Sequence, residues 1–486
     1  MKSAIFSFAF AGILFFQLTS CAQTVDTAEK IKQVESNLAP NIRAEGEPAY
    51  SIKDRMAHYN IQGVSIAVIH NYKIEWAKGY GWADKDKQVP VTAQTLFQAG
   101  SISKSLNSVG VLKLAQDKKI GLYTDINSYL KSWKFPYDSL AKGKKITIAN
   151  LLSHSAGLTV HGFGGYQKGD AIPTIEQVLD GKKPANSDPV RSMYEPGLKF
   201  EYSGGGTTIS QLIVMDATGQ AYDKYMYDNV LKPLGMTSST YQQPPSDKAP
   251  ELISTAYYPD GKEVPGKYHI YPEQAAAGLW TNPTDLSKYI IETQLAYAGK
   301  SHKVLDKQMT SLRLTPYNDK SAALGVFINA FPDGTKYFQH GGVDEGFISQ
   351  YYGSFEGGNG VVVMVNTANG GELIPEIINS VASVYGFKGL NNSKQVKTAV
   401  LADAVLQEYT GQYELGQQFI LTVTKDGNGL YAQATGQGKF AITPESQSRF
   451  FSKEVGIELE FVRDDKGTVT KMVLYQNGAH EAKKIK

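Results

Sequence analysis

Ser101 and Lys104 stand three residues apart in Phe97–Asp117, FQAGSISKSLNSVGVLKLAQD. Gly100 breaks the chain, and Ile102, Leu106 and Val109 then follow at helical steps, so the stretch predicts a short extended segment and a helix starting near Ser101. Residues three apart share a helix face, which lets the hydroxyl and the amine point at one spot. The first turn leaves backbone N–H groups without intrahelical partners, at the positive end of the helix dipole. A nucleophile, a proton acceptor and an anion-stabilising end therefore coincide. A serine hydroxyl is a poor nucleophile and needs a base. Lysine serves as one only when its amine is neutral, which burial or a neighbouring cation favours. The arrangement calls for a third residue, a tyrosine or a second lysine, from elsewhere in the chain. The same spacing recurs at Ser128/Lys131 and Ser139/Lys142, so the glycine break and the helix are what set Ser101/Lys104 apart.

The elements that must hold this stretch come from both sides of it. Ile61–His70 is an apolar, β-branched run. Asn71-Tyr72 and Lys73–Gly79 complete a hairpin. Gly63-Val64-Ser65-Ile66-Ala67 nearly matches a G-x-S-x-G nucleophile elbow, but it lies inside a strand with no helix after it, so Ser65 reads as structural. Ile146–Leu158 (ITIANLLSHSAGL) reads as a helix capped by Thr147 and ending at Gly157. His154 inside it, like Trp280 further on, reads as a packing residue. Residues 159 to 195 form a long irregular loop. Pro196–Gly206 (PGLKFEYSGGG) turns, runs extended and meets three glycines before a helix over Thr207–Thr218. Triple glycine lets a backbone approach a neighbour closely. Strands return at Ala322–Ala330, Lys336–Gln339, Phe347–Gly353 and Gly360–Asn366, and Gly371–Tyr385 closes as a helix. This order predicts an α/β (α+β) fold: one antiparallel sheet built from both chain ends, with a helical insertion between. Lys388–Lys397 is polar and aperiodic, a linker. Beyond it, Leu406–Lys486 shows short alternating runs separated by Asp-Gly-Asn-Gly and Asp-Asp-Lys-Gly, which predicts a small all-β, barrel-like domain.

The 486 residues suffice for two or three domains. With 49 Lys+Arg against 47 Asp+Glu there is no basic footprint for nucleic acid. No P-loop, zinc-ligand cluster or long repeat is present, so neither a metal nor another cofactor is expected. Lys2, an apolar run over Ala4–Leu18, and Leu18-Thr19-Ser20-Cys21 read as a secretory signal, too short for a stable membrane span. Leu18–Cys21 resembles a bacterial lipobox, and Cys21 is the chain's single cysteine. Cys21 is therefore expected to be lipidated, giving an exported envelope protein, a periplasmic lipoprotein held to a membrane. Ordinary cleavage after Ala22 is the alternative.

Six motifs in consistent order make the resemblance to a known family close. FQAGSISKS, ITIANLLSHSAGL, PGLKFEYSGGG, LKPLGM, AAGLWTNPTDL and His340-Gly341-Gly342 resemble, from about Tyr50 to Gly386, the serine β-lactamase and penicillin-binding-protein superfamily, specifically the class C-related serine hydrolases. The tail resembles the lipocalin-like β-domain that follows many of them. The implied organisation is a signal peptide (1–20), a tether (21–43), a β-lactamase-like hydrolase domain (44–387), a linker (388–401) and the β-domain (402–486). The resemblance implies that Ser101 is the acylated nucleophile, that Lys104 moves its proton, and that Tyr202 acts as general base and as acid to the leaving group. It implies an oxyanion hole from the backbone N–H groups of Ser101 and Val343, with Asp344–Ser349 continuing that edge strand. His340, Gly341, Gly342 and Gly204 would line the substrate.

Two departures bear on substrate. The family's Y-x-N reads Tyr202-Ser203-Gly204 here, which removes an amide that holds substrate amides. The lactamase K-T-G lysine is His340, which removes a fixed cation for a substrate carboxylate. A histidine there could donate a hydrogen bond, or carry charge below its ordinary pKa of about 6.5. Both changes favour an esterase, or a peptidase or aminopeptidase acting on small esters or short D-amino-acid-containing peptides. A β-lactamase or DD-carboxypeptidase is the alternative enzyme. A lipid-anchored binding or sensor protein is the non-enzymatic one.

Overall fold

A computed structural model describes residues 26–246, 250–416, 419–476 and 478–486. Cys21 and the expected secretory segment lie outside the described residues. The chain divides into two units. The first takes in Lys53–Ile374 and, of the described residues before it, 26–28; the second takes in Glu29–Ile52 and Pro375–Lys486.

In the first unit, the strands are β1 (Gly63–His70), β2 (Lys73–Asp84), β3 (Val89–Pro90), β4 (Phe327–Ala330), β5 (Lys336–Asp344), β6 (Phe347–Ser354) and β7 (Gly360–Val365). They form one sheet in the order β3-β2-β1-β7-β6-β5-β4. Every pair is antiparallel, and β7 is hydrogen-bonded between β1 and β6. The sheet is therefore closed by strands from both ends of the unit, as the element order predicts. β7 reads GVVVMV and is buried at all six positions. β6 alternates buried and partly exposed residues along FISQYYG. An unbroken β-branched run marks a strand covered on both faces, and alternation marks one with a wetter face. Ser65 on β1 is fully buried and gives its hydroxyl to the Thr92 carbonyl, a structural role.

The helices of the insertion that matter for the site are α1 (Ser103–Gln116), α2 (Ile148–Leu152), α3 (Gly204–Thr218), α4 (Gln274–Ala277) and α5 (Pro283–Tyr297). α1 is not amphipathic: every residue from Ser103 to Leu112 is buried. Leu106, Val109 and Leu112 supply apolar area, each contributing about 1.5–3 kcal/mol on full burial. Buried polar groups need partners, and α1 has them. Asn107 bonds Ser210 and Tyr222, Ser105 receives the Tyr351 hydroxyl at 2.9 Å, and Ser108 receives Arg313 Nε at 2.9 Å. These bonds tie α1 to four other parts of the unit.

α2 is shorter than the pattern predicts. Thr147 caps it as expected, in a capping box with Asn150. The helix stops at Leu152 because Ser153 and Ser155 join a buried polar knot: Ser155 N–H donates to Asn150 O, and Asn150 Nδ2 to Ser155 Oγ. His154 thus lies past the helix, in left-handed backbone with φ 56°.

In the second unit, eight strands between Gly411 and Lys484 close into an antiparallel barrel. Its first and last strands pair at Tyr413↔Lys484, and Tyr409, Tyr413, Phe450 and Phe461 fill the interior. The same unit holds a helix over 26–36 from Glu29 on, and Ile42–Ala44 paired in parallel with Lys394–Val396. Among the described residues no helix is long and apolar enough to cross a membrane.

Candidate active site

Gly100–Ile102 forms a 3-10 turn that runs straight into α1. Ser101 sits in that turn and Lys104 in the first turn of α1. Lys104 Nζ lies 2.9 Å from Ser101 Oγ and 2.8 Å from the carbonyl oxygen of Ala276 on α4. Lys104 is 4% exposed, so its amine meets these two acceptors with little water. The same Nζ stands 5.0 Å from the centroid of the Tyr202 ring. The structure thus gathers Ser101, Lys104 and Tyr202, from positions a hundred residues apart, around one point.

Tyr202 lies just ahead of α3, whose N-cap is Ser203: Ser203 Oγ accepts the Gly206 N–H at 2.9 Å. The segment Thr159–His161 lines the other side of this motif. Ser203 Oγ donates to Thr159 O, Gly205 N–H to Val160 O, and Gly204 N–H to His161 O. His161 Nδ1 donates to the Tyr202 carbonyl at 2.5 Å. The glycines permit this approach. A Cβ on Gly205 would meet Val190 Cγ2 at 2.7 Å, and one on Gly204 would meet the Phe163 ring at 3.0 Å. Phe163 therefore stands beside the position where the resemblance expects an asparagine side chain.

β5 brings His340, Gly341, Gly342 and Val343. Its second half extends past β4, whose pairing ends at Gln339, and lies against the Gly100 turn. Gly100 has φ +52°, and a Cβ there would fall 2.4 Å from Val343 N. A Cβ on Gly342 would fall 1.8 Å from Ala99 O. Two glycines thus let the strand reach the turn that carries Ser101. Ser349 Oγ donates to Ala99 O at 2.9 Å, and Gly100 N–H donates to Asp344 Oδ2 at 3.1 Å. Val343 turns its side chain outward, 68% exposed. The expected continuation of an edge strand through Asp344–Ser349 is corrected: β5 ends at Asp344, the chain turns, and Phe347 already begins β6, because Asp344 pairs back with Phe347.

His340 differs from the sequence expectation. It is 3% exposed, and Nδ1 lies 2.6 Å from Gly341 O, an acceptor only, so Nδ1 carries the proton. Burial, Lys104 and Arg313 push its pKa down to about 3. The ring is neutral and its remaining nitrogen, Nε2, is a buried acceptor without a protein partner. It supplies no positive charge for a carboxylate and no free N–H.

Two carboxyl groups that the motifs did not single out complete the surroundings. Asp344 is held above the usual carboxylate range by burial, which the Lys104 charge only partly opposes. Glu273 precedes α4, is fully buried with neither carboxyl oxygen hydrogen-bonded, and burial raises its pKa to about 7. Trp280 is fully buried against Tyr268 and Phe347, a packing residue as read. Among the described residues no group of three or more His, Cys, Asp or Glu is arranged to hold a metal ion.

A seven-stranded antiparallel sheet with a helical insertion, and at its edge a partly exposed serine bonded to a buried lysine, define a class of protein. A family profile, Beta-lactamase, matches residues 51–382, and a second, a domain of unknown function (DUF3471), matches residues 397–485. The chain belongs to the beta-lactamase family, a serine hydrolase of the β-lactamase and penicillin-binding-protein superfamily with a C-terminal β-domain. It is 25% identical to Protein flp of Staphylococcus aureus (strain N315) over 371 residues, 73% of this chain and 68% of that protein. It is 20% identical to Penicillin-binding protein 4* of Bacillus subtilis (strain 168) over 420 residues, 83% and 90% of the two chains. Its fold is similar to that of the octameric penicillin-binding protein homologue from Pyrococcus abyssi, with TM-score 0.60 and 21% identity, covering 89% of this chain and 98% of the other. SurE, solved with D-Leu, gives TM-score 0.55 at 19% identity over 89% and 97%.

Proposed function

We propose that this protein is an exported serine hydrolase that works through an acyl-enzyme on Ser101. Its substrates are small esters or short D-amino-acid-containing peptides, which it cleaves as an esterase or a peptidase/aminopeptidase. The observation that carries the reading is the 2.9 Å contact between the buried Lys104 Nζ and the partly exposed Ser101 Oγ. A lysine on a helix needs no serine hydroxyl at that distance for packing.

The steps follow from the chain's own groups. Lys104 and Tyr202, side by side, take the Ser101 proton as Oγ attacks the substrate carbonyl carbon. The carbonyl π electrons move onto oxygen, which the backbone N–H groups of Ser101 and Val343 receive. Losing one such donor typically costs about 3 kcal/mol of transition-state stabilisation. Tyr202 returns the proton to the leaving alkoxide or amine, leaving an ester on Ser101. Water, deprotonated by the same groups, attacks that ester and frees the acid.

Two observations support neutral esters and D-amino-acid peptides over penicillins. His340 is an uncharged acceptor, and Phe163 stands at Gly204 in place of an amide. The structure of SurE with D-Leu lends support to a D-amino-acid group. The likeness to penicillin-binding proteins favours a second reading, a β-lactamase or DD-carboxypeptidase. The proposal also holds that Cys21 carries a lipid that tethers the protein in the cell envelope.

Intact-mass and peptide mass spectrometry after exposure to a fluorophosphonate tests the nucleophile. Label on Ser101, absent in Ser101→Ala, is the expected result. Folded protein that takes up neither fluorophosphonate nor penicillin overturns it. Relative turnover of a nitrophenyl ester, a D-amino-acid amide and a cephalosporin decides the substrate class. Membrane fractionation of Cys21→Ala tests the anchor: a variant that stays membrane-bound excludes it.

A further inference from the structure

His154 carries no step of the mechanism above, yet it touches three consecutive residues of the tyrosine motif. Its carbonyl accepts the Glu201 N–H at 2.7 Å, its ring lies 4.3 Å from the Tyr202 ring at 34°, and its Nδ1 accepts the Ser203 N–H at 3.2 Å. Phe327 stacks near it at 6.4 Å and 15°, and Phe200 meets it edge-on at 6.1 Å. The residue is 4% exposed and its backbone has φ 56°, a conformation that few side chains adopt and that needs outside support. The support is the serine knot on either side: Ser153 Oγ bonds Ser155 Oγ, and Ser155 O accepts the Gly197 N–H.

We infer that His154 is a positioning residue for Tyr202: neutral and backbone-locked, it fixes the ring against Lys104 and keeps water from that face. The inference rests on the reading of Ser101 as nucleophile. The tautomer follows from geometry. A backbone N–H can only donate, so Nδ1 must be bare and the proton sits on Nε2. A doubly protonated ring would place an N–H against the Ser203 N–H and break the contact. The surroundings keep the ring neutral. Burial dominates, and the groups that face it, Lys104 and His340, disfavour a cation on this ring as well.

The division of labour is testable because asparagine tolerates left-handed backbone and can still accept the Ser203 N–H. His154→Asn therefore keeps the bond and removes only the ring beside Tyr202. Labelling of Ser101 by a fluorophosphonate is followed from pH 5 to 10 in the parent and in H154N, with circular dichroism melts on both. A slackened ring should slow acylation on the order of tenfold or more, since small misplacement of reacting groups carries large rate penalties. A displaced Tyr202 ring alters the geometry of proton transfer among Ser101, Lys104 and Tyr202, so the pH profile of labelling should shift as well as fall. KM for a nitrophenyl ester should change less than kcat. A folded H154N that labels at the parental rate overturns the inference. So does a slower variant whose pH profile has not moved, since that is plain loss of structure. If H154N does not fold, His154→Gly, which suits the left-handed backbone and also lacks the ring, is judged by the same two criteria. A parent that takes no label overturns the Ser101 reading, and this inference with it.

Discussion

A Cβ placed on Gly342 would stand 1.8 Å from the carbonyl oxygen of Ala99, the residue two before Ser101. The contact is backbone against backbone, so nothing flexible can yield. Gly342→Ala must push β5 away from the Ser101 turn, and it also crowds Ser349 Oγ, whose bond to Ala99 O joins the two. The neighbouring Gly341 is different: a Cβ there meets Gln350 Oε1 at 2.8 Å, the far end of a side chain that can swing aside. Acylation of Ser101 should fall by about 10²–10³ in Gly342→Ala, the usual loss for one oxyanion donor. Gly341→Ala should lose far less. Stopped-flow acylation with a nitrophenyl ester compares them, and equal effects would remove the special role of Gly342.

The serine–lysine spacing was readable because it is local: three residues on one helical turn fix both side chains. The sheet was readable because β-branched runs at both chain ends lacked any other partner, and the barrel because Asp-Gly-type turns punctuate its alternating strands. What the sequence hid depends on distant segments meeting. ITIANLLSHSAGL keeps an apolar, helix-compatible pattern through Leu158, yet the helix stops at Leu152, because Ser153 and Ser155 bond elsewhere and His154 turns left-handed. Glu273 and Asp344 read as ordinary acidic residues until segments around residues 98–100, 273 and 344 enclose them. The state of His340 depends on burial beside Lys104 and Arg313, which no motif encodes.

Gly204 and Phe163 form a pair that substitution can reverse. Gly204→Asn alone must fit its Cβ 3.0 Å from the Phe163 ring and 3.3 Å from His161 O, so it should lower ester turnover by displacing the 159–164 segment. Gly204→Asn with Phe163→Ala makes room for the amide. The double variant should recover ester turnover and gain cephalosporin or amide turnover relative to the parent. Steady-state kinetics on both substrates checks this. A double variant no better than Gly204→Asn alone would mean that Phe163 does not hold this position shut.

Acid should destabilise the first unit through its two buried imidazoles. In the fold His340 is held to about 3 and His154 well below its ordinary range, whereas the unfolded chain protonates each near 6.5. Below about 6.5 the unfolded state binds more protons, so stability present above that pH is lost as pH falls toward the folded values. Each histidine contributes a slope of at most about 1.4 kcal/mol per pH unit. Urea titrations at pH 7, 6 and 5 should show this decline, and His340→Gln should flatten it. An unchanged slope in that variant would place a charge on His340 in the folded protein.

Glu273 should act in the opposite direction. Its ordinary value is 4.5 and burial raises it to about 7 in the fold, so between those limits the folded state holds the proton that the unfolded state has released. Stability from this group is therefore unaffected below about 4.5, declines as pH rises from there to about 7, and stays reduced above it. No other residue donates to either carboxyl oxygen, so only the backbone N–H of Glu273 itself opposes the effect of burial. Glu273→Gln mimics the protonated form. Its melting temperature should match the parent near pH 4.5 and exceed it at pH 8, and its advantage should grow across the interval between. Differential scanning calorimetry at pH 4.5, 6 and 8 follows the difference. A variant less stable than the parent at pH 8 would mean that the Glu273 carboxylate has a donor or cation in solution that stabilises its charge.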